Sequence, residues 1–85
     1  MDQRIKQDEI INLGSNIRNL RLKNGYTQED VVRLLQLAGY SISRATYSKI
    51  EMGIHHVTAS QLELLRDIFR TDYDTLLKHT EAENL

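Results

Sequence analysis

The chain has 85 residues, no cysteine and no proline, and a formal net charge of −1. That length suits one small domain without a second ligand-binding or catalytic domain beside it, and the lack of cysteine excludes disulfides and thiolate metal sites. The sequence has no apolar run near the length of a membrane span and no basic-then-apolar leader, which predicts a cytoplasmic protein without a membrane role.

Ile10, Leu13, Ile17 and Leu20 recur at helical steps. They predict a first helix from about Asp8 to Asn24, stopped by Gly25. Residues 1–12 are read as a partly helical N-terminal extension. Thr27 is the expected cap of a second helix, with Asp30 three residues on and Tyr26 placed to staple onto Val31. Val31, Leu34 and Leu35 would be its buried face, and it should end near Leu37–Gly39. Ser43 is the expected cap of a third helix, residues 43–52, stopped by Gly53 in the left-handed conformation. Thr58 should cap a fourth helix, with Gln61 in the capping-box position and Leu62, Leu65 and Phe69 as its core stripe. A short fifth helix follows Asp72, with Tyr73 and Leu76 directed inward. No alternating strand pattern is visible. The fold class is therefore all-α: a compact five-helix bundle over residues 13–79, followed by a flexible tail at 80–85.

The third helix is two-faced. Tyr47 and Ile50 form an apolar side, whereas Arg44, Ala45, Thr46, Ser48 and Lys49 form a polar side of short or hydrogen-bonding groups. A short helix followed by one of this kind is what a helix-turn-helix needs to enter the DNA major groove. Net charge argues mildly against a polyanionic partner, but its distribution does not. Residues 1–53 hold eight Lys/Arg against six Asp/Glu, a balance of +2, and residues 54–85 hold three against six, a balance of −3. The proposed reader lies in the basic half.

From Leu13 to Leu77 the chain resembles the Cro-repressor or XRE-type helix-turn-helix family, the phage-repressor-like regulators of bacteria and phages. The resemblance rests on Gly14, Ile17-Arg18, Leu20-Arg21 and Gly25-Tyr26-Thr27-Gln28-Glu29. It continues through Ser43, Ser48-Lys49-Ile50-Glu51, Gly53, Leu62 and Leu76. One departure is the connection from Leu37 to Ser43, longer than in the phage repressors and read as a subtype. The resemblance implies a lambda-repressor-like fold and a cytoplasmic transcriptional regulator, in particular a repressor. It also implies that Arg21 and Glu51 form a partly buried, architectural ion pair.

Base reading requires side chains of modest length near the start of a helix. Arg44 or Lys49 can address guanine, Thr46 and Ser48 either base type, and Ala45 or the Thr46 methyl a thymine methyl. Gln28 sits where unpaired N–H groups favour a phosphate, and the matching glutamine of the family contacts the DNA backbone. Thr27 and Ser43 are assigned to the same role, with Arg18, Lys23, His55 and His56 as weaker candidates. No cofactor, metal site or catalytic constellation is expected, because His55 and His56 are adjacent and His79 is remote. A module this small predicts a homodimer on a pseudo-palindromic double-stranded operator. Leu64, Ile68, Tyr73, Leu77 and Leu85 are equally candidates for core or dimer surface. The alternative is a protein-interaction module or antitoxin on the same scaffold, which the acidic second half favours slightly.

Overall fold

Short-range side-chain hydrogen bonds start each helix. The computed structural model describes residues 4–5 and 12–78. In chain order the elements are β1 (Arg4–Ile5), α1 (Leu13–Lys23), α2 (Gln28–Leu37), α3 (Arg44–Glu51), β2 (Val57–Thr58), α4 (Ala59–Ile68) and α5 (Tyr73–Leu76). Thr27 and Asp30 form a reciprocal capping box, with bonds of 3.1 and 2.8 Å between each side chain and the other's backbone N–H. Thr58 and Gln61 repeat it at the start of α4, and Ser43 and Asp72 cap α3 and α5. Hydrogen bonding to the Thr27 and Thr75 backbone N–H groups holds the carboxyls of Asp30 and Asp72 below the usual carboxylate range.

Four sequence expectations need correction. The first helix starts at Leu13 and not near Asp8: Asn12 has a non-helical ψ of 77°, and its side chain accepts the Ser15 N–H. An Asn that captures this amide ends the helical run on its N-terminal side. Ile10, like most of the extension at 1–12, His79 and the tail at 80–85, lies outside the described residues. On α2 the buried positions are Val31, Val32 and Leu35, while Leu34 is only half-buried. Tyr73 does not pack inward; it is 37 % exposed, with the Arg66 guanidinium 4.9 Å from its ring centre. Finally, β1 and β2 pair antiparallel, Arg4 opposite Thr58 and Ile5 opposite Val57. This ties the start of the chain to the segment between α3 and α4.

The core joins Leu13, Ile17 and Leu20 of α1 to Val31 and Leu35 of α2, Tyr47 and Ile50 of α3, Leu62, Leu65 and Phe69 at α4, and Leu76 of α5. Each buried aliphatic contributes about 1.5 to 3 kcal/mol. Leu64, Ile68 and Leu77 are partly buried against this cluster. Ile42 and Val57, buried to 6 % and 0 % exposure, anchor the two loops that flank α3. The long connection between α2 and α3 is closed by the Gln36 amide, which donates to the Ile42 carbonyl at 3.0 Å. The extra residues therefore do not loosen the seating of α3.

Candidate nucleic-acid interface

One side of α3 is fixed at backbone level. A Cβ on Gly14 would lie 2.6 Å from the Glu51 carbonyl oxygen and closer still to that of Ile50. Only a glycine lets α1 approach the last turn of α3 so closely. Two helical turns further along the same face, Arg21 meets Glu51 through two bonds, Nε to Oε2 at 2.7 Å and Nη2 to Oε1 at 3.1 Å. The Arg21 side chain is 11 % exposed and that of Glu51 3 %. Arg21 Nη1 also donates to the Tyr26 carbonyl at 3.0 Å, so the guanidinium binds the turn into α2 as well.

Gln28 completes this cluster, its Nε2 donating to Glu51 Oε1 at 3.1 Å. Burial by itself raises the pKa of the Glu51 carboxyl, but the hydrogen bonds it receives, led by Arg21, outweigh that and hold it below its ordinary value. Bonding to Glu51 correspondingly holds the Arg21 guanidinium more firmly protonated. Tyr47, fully buried, stands beside the pair. Its hydroxyl meets no partner at hydrogen-bonding geometry. Burial and the nearby carboxylate push its ionisation well up, so the phenol stays neutral.

The other side of α3 is held only by short local contacts and one exposed tether. Arg44, Ala45 and Lys49 are exposed, and Thr46 and Ser48 are half-buried at its margins. The Ser43 hydroxyl accepts the Thr46 N–H and donates to Thr46 Oγ1, both at 3.1 Å, leaving the Thr46 proton available to a ligand. Arg44 reaches back to Glu29 in the first turn of α2, Nη1 to Oε1 at 3.4 Å, with both side chains about two-thirds exposed (64 % and 66 %). Sequence reasoning missed this tether, since it depends on how closely α2 and α3 approach. It also missed Met52, 68 % exposed, which continues the Ala45–Lys49 face at the helical period.

The backbone-contact candidates come from several elements. Thr27 and Gln28 open α2, Ser43 opens α3, and His55 and His56 are exposed in the segment after α3. Arg18 is exposed on α1. Lys23 belongs elsewhere: Gly14 and Arg21 face α3, and Lys23 lies about 200° round α1 from Arg21 at about 100° per residue. It lines a groove with Thr75 and Lys78. That places it on the side of α1 away from α3.

Residues 12–79 match the family described as a helix-turn-helix domain. No curated protein matches the chain. Among solved structures, it is similar to a hypothetical transcription factor from Neisseria. There the identity is 20 %, the coverage 99 % of this chain and 91 % of that one, and the TM-score 0.71. It is also similar to two variants of the restriction-modification controller protein C.Esp1396I. One is 23 % identical over 87 % of this chain and 92 % of that one, with a TM-score of 0.66. The other is 26 % identical over 81 % and 91 %, with a TM-score of 0.63. At these identities, the likeness to the first two is one of fold.

Proposed function

The chain belongs to the XRE-like helix-turn-helix family, and from that premise we propose that it is a sequence-specific, double-stranded-DNA-binding transcriptional regulator, acting as a repressor through a homodimer. Arg44, Ala45, Thr46, Ser48 and Lys49 read base edges, while Thr27, Gln28, Ser43, Arg18, His55 and His56 contact the backbone. The observation that carries this reading is the division of labour on α3. Its inner side is fixed by a glycine contact and a bidentate ion pair, so the outer side is presented in one orientation with no packing duty. Preorganised short side chains on a rigid helix are what direct readout requires.

Gln28 has a double role. One N–H of its amide is held by Glu51, which leaves the other for a phosphate oxygen beside the α2 N-terminus. Two carboxylates, Glu29 and Asp30, lie in that same first turn and weaken its attraction for anions. Affinity then rests on few phosphates per domain, which favours two copies on one operator. Among the described residues no helix is long and apolar enough to cross a membrane.

Selection of bound duplexes from a random pool tests the proposal. The expected product is a pseudo-palindrome with half-sites about one helical turn apart, bound with a log–log salt slope of several units per dimer. Arg44→Ala should cost about 1 to 3 kcal/mol on that site and relax preference at one or two base pairs. Failure to retain any duplex at low salt would transfer the outward face of α3 to a protein partner.

A further inference from the structure

The four longer helices end in the same way, and one of the four breaks the rule that the others follow. After α1, α2 and α3 the chain turns through Gly25, Gly39 and Gly53, at φ of 75°, 98° and 81°. After α4 it turns through Arg70, at φ of 52°. The hydrogen bonds are equivalent: Tyr26 N–H to the Arg21 carbonyl after α1, and Thr71 N–H to the Arg66 carbonyl after α4. The left-handed conformation disfavours a side chain with a Cβ and suits glycine. An arginine kept there points to a use for its side chain.

Arg70 borders a groove of about 320 Å³ over Leu20 and Phe69, with Lys23 and Thr71 on its walls. A second groove of about 210 Å³ shares Leu20, Lys23 and Thr75 with the first and extends it past Asn19 to Lys78. The two run together, so Arg70, Lys23 and Lys78 stand in a row. Among the described residues no carboxylate lines either groove, although residues 54–85 carry a balance of −3. Among the described residues, none of the three cations has a carboxylate within ion-pair distance, whereas Arg21, Arg33, Arg44 and Arg66 all do. The groove walls are firm, because Asn16 donates to the Leu76 and Lys78 carbonyls at 2.8 and 2.9 Å. Asn24 likewise donates to the Leu20 carbonyl at 2.8 Å.

This row lies across α1 from α3. Asn16 and Lys23 lie about 200° round that helix from Gly14 and Arg21, which face α3. A duplex seated on the reading helix leaves the row free. From the distribution of the charges over two adjoining grooves, their lack of carboxylate partners among the described residues and their place on the back of the domain, we infer that this groove is a second interaction surface, and that its occupant is an extended acidic segment of a protein partner. Cations strung along a shallow channel suit carboxylates spaced along a chain; a compact phosphate would need them to converge. The amide of Asn19 and the hydroxyls of Thr71 and Thr75 offer hydrogen bonds to the occupant's backbone.

The test uses the full chain and a fluorescein-labelled hexaglutamate peptide, with tripolyphosphate and a hexalysine peptide as comparators. Anisotropy gives the affinities, and amide shifts in a nitrogen-15 spectrum give the site. The expected result is hexaglutamate binding, with shifts at Asn19, Lys23, Thr71 and Thr75 and not along α3. Arg70→Gly is the decisive variant because it relieves the backbone while removing the charge. It should raise Tm by about 2 to 4 °C yet weaken the peptide about five-fold, with operator affinity within two-fold of wild type. Lys23→Gln should weaken the peptide by a similar factor. Unchanged peptide affinity in Arg70→Gly overturns the inference, as do shifts confined to α3 or tighter binding of tripolyphosphate at the same residues. Hexalysine binding equal to hexaglutamate overturns it too. Operator binding is read separately, so failure here leaves the DNA-reading proposal standing, and the reverse also holds.

Discussion

The two sides of α3 differ in how firmly they are held. On the inner side, Glu51 accepts three hydrogen bonds from α1 and α2, and the helix backbone lies against Gly14. On the outer side, the best-placed cation, Arg44, is held only by an exposed contact to Glu29. An exposed ion pair is worth about 0 to 1 kcal/mol, whereas losing one partner of a buried pair costs about 3 to 5. The inner side therefore sets where the helix sits and tolerates little change. The outer side can vary without unfolding the domain, which is the condition for related regulators to read different sequences from one scaffold.

The comparison is broken most directly at Glu51. Glu51→Ala should destabilise the DNA-free protein by about 3 to 5 kcal/mol, because Arg21 is left as a buried charge with only the Tyr26 carbonyl to satisfy it. Lys49→Ala, on the opposite face, should stay within about 0.5 kcal/mol. Equal urea midpoints for these two variants would remove the distinction. The same carboxylate sets an acid limit. Its folded pKa lies below the ordinary 4.5, so its contribution is complete above that value and is lost as pH falls through the folded pKa. Wild-type stability should decline below pH 4.5 more steeply than that of Glu51→Gln, when both are followed by urea titration across that window.

Gly14→Ala comes next. The intruding methyl meets carbonyl oxygens of Ile50 and Glu51 and not a mobile side chain, so α1 and α3 must separate. Overpacking of this kind costs about 1 to 3 kcal/mol, offset only slightly by alanine's better helix propensity. Because the displaced element is the reading helix, operator affinity should fall further than the loss of stability explains. A variant as stable as wild type that binds the operator equally well would show that the close approach has no role in placing α3.

These two residues also show what the sequence makes legible. Caps such as Thr27 with Asp30 and Thr58 with Gln61 act within four residues, and their spacing alone identifies them. The Arg21–Glu51 pair spans 30 residues and is visible only through the family resemblance. Gly14 carries a faint local signal, since glycine inside a helical pattern is costly unless something must come close. The pairing of Arg4–Ile5 with Val57–Thr58 carries none: two residues per strand leave no alternation to detect. The side of α1 on which Lys23 lies was not legible either, because charge alone does not say which side of that helix faces α3. The left-handed turn after α4 was hidden by its arginine, where a glycine would have announced it.

The outer side can be sharpened at Glu29. Glu29→Gln removes the carboxylate that holds Arg44 at 3.4 Å and also a negative charge from the first turn of α2. Both changes favour an incoming phosphate or base, so operator affinity should rise several-fold, about 1 kcal/mol, with stability almost unchanged. Weaker binding would mean that Glu29 holds Arg44 in its reading position and does not compete for it.

The smallest effect is expected at Tyr47, and it tests how dry the inner side is. The ring fills the core, but its hydroxyl is buried beside Arg21 and Glu51 without an aligned partner. Tyr47→Phe keeps the packing and removes a polar group that has lost its water. Deleting an unsatisfied hydroxyl does not cost a hydrogen bond and relieves part of its desolvation. Stability should therefore stay within about 1 kcal/mol of wild type, with any change in the stabilising direction. The acid decline should persist, because Arg21 and Gln28 still hold the Glu51 carboxyl down. A loss of about 2 kcal/mol or more, with that decline moved to higher pH, would show that the hydroxyl donates to Glu51 in solution. The buried pair would then be a triad, with α3 contributing to its own anchor.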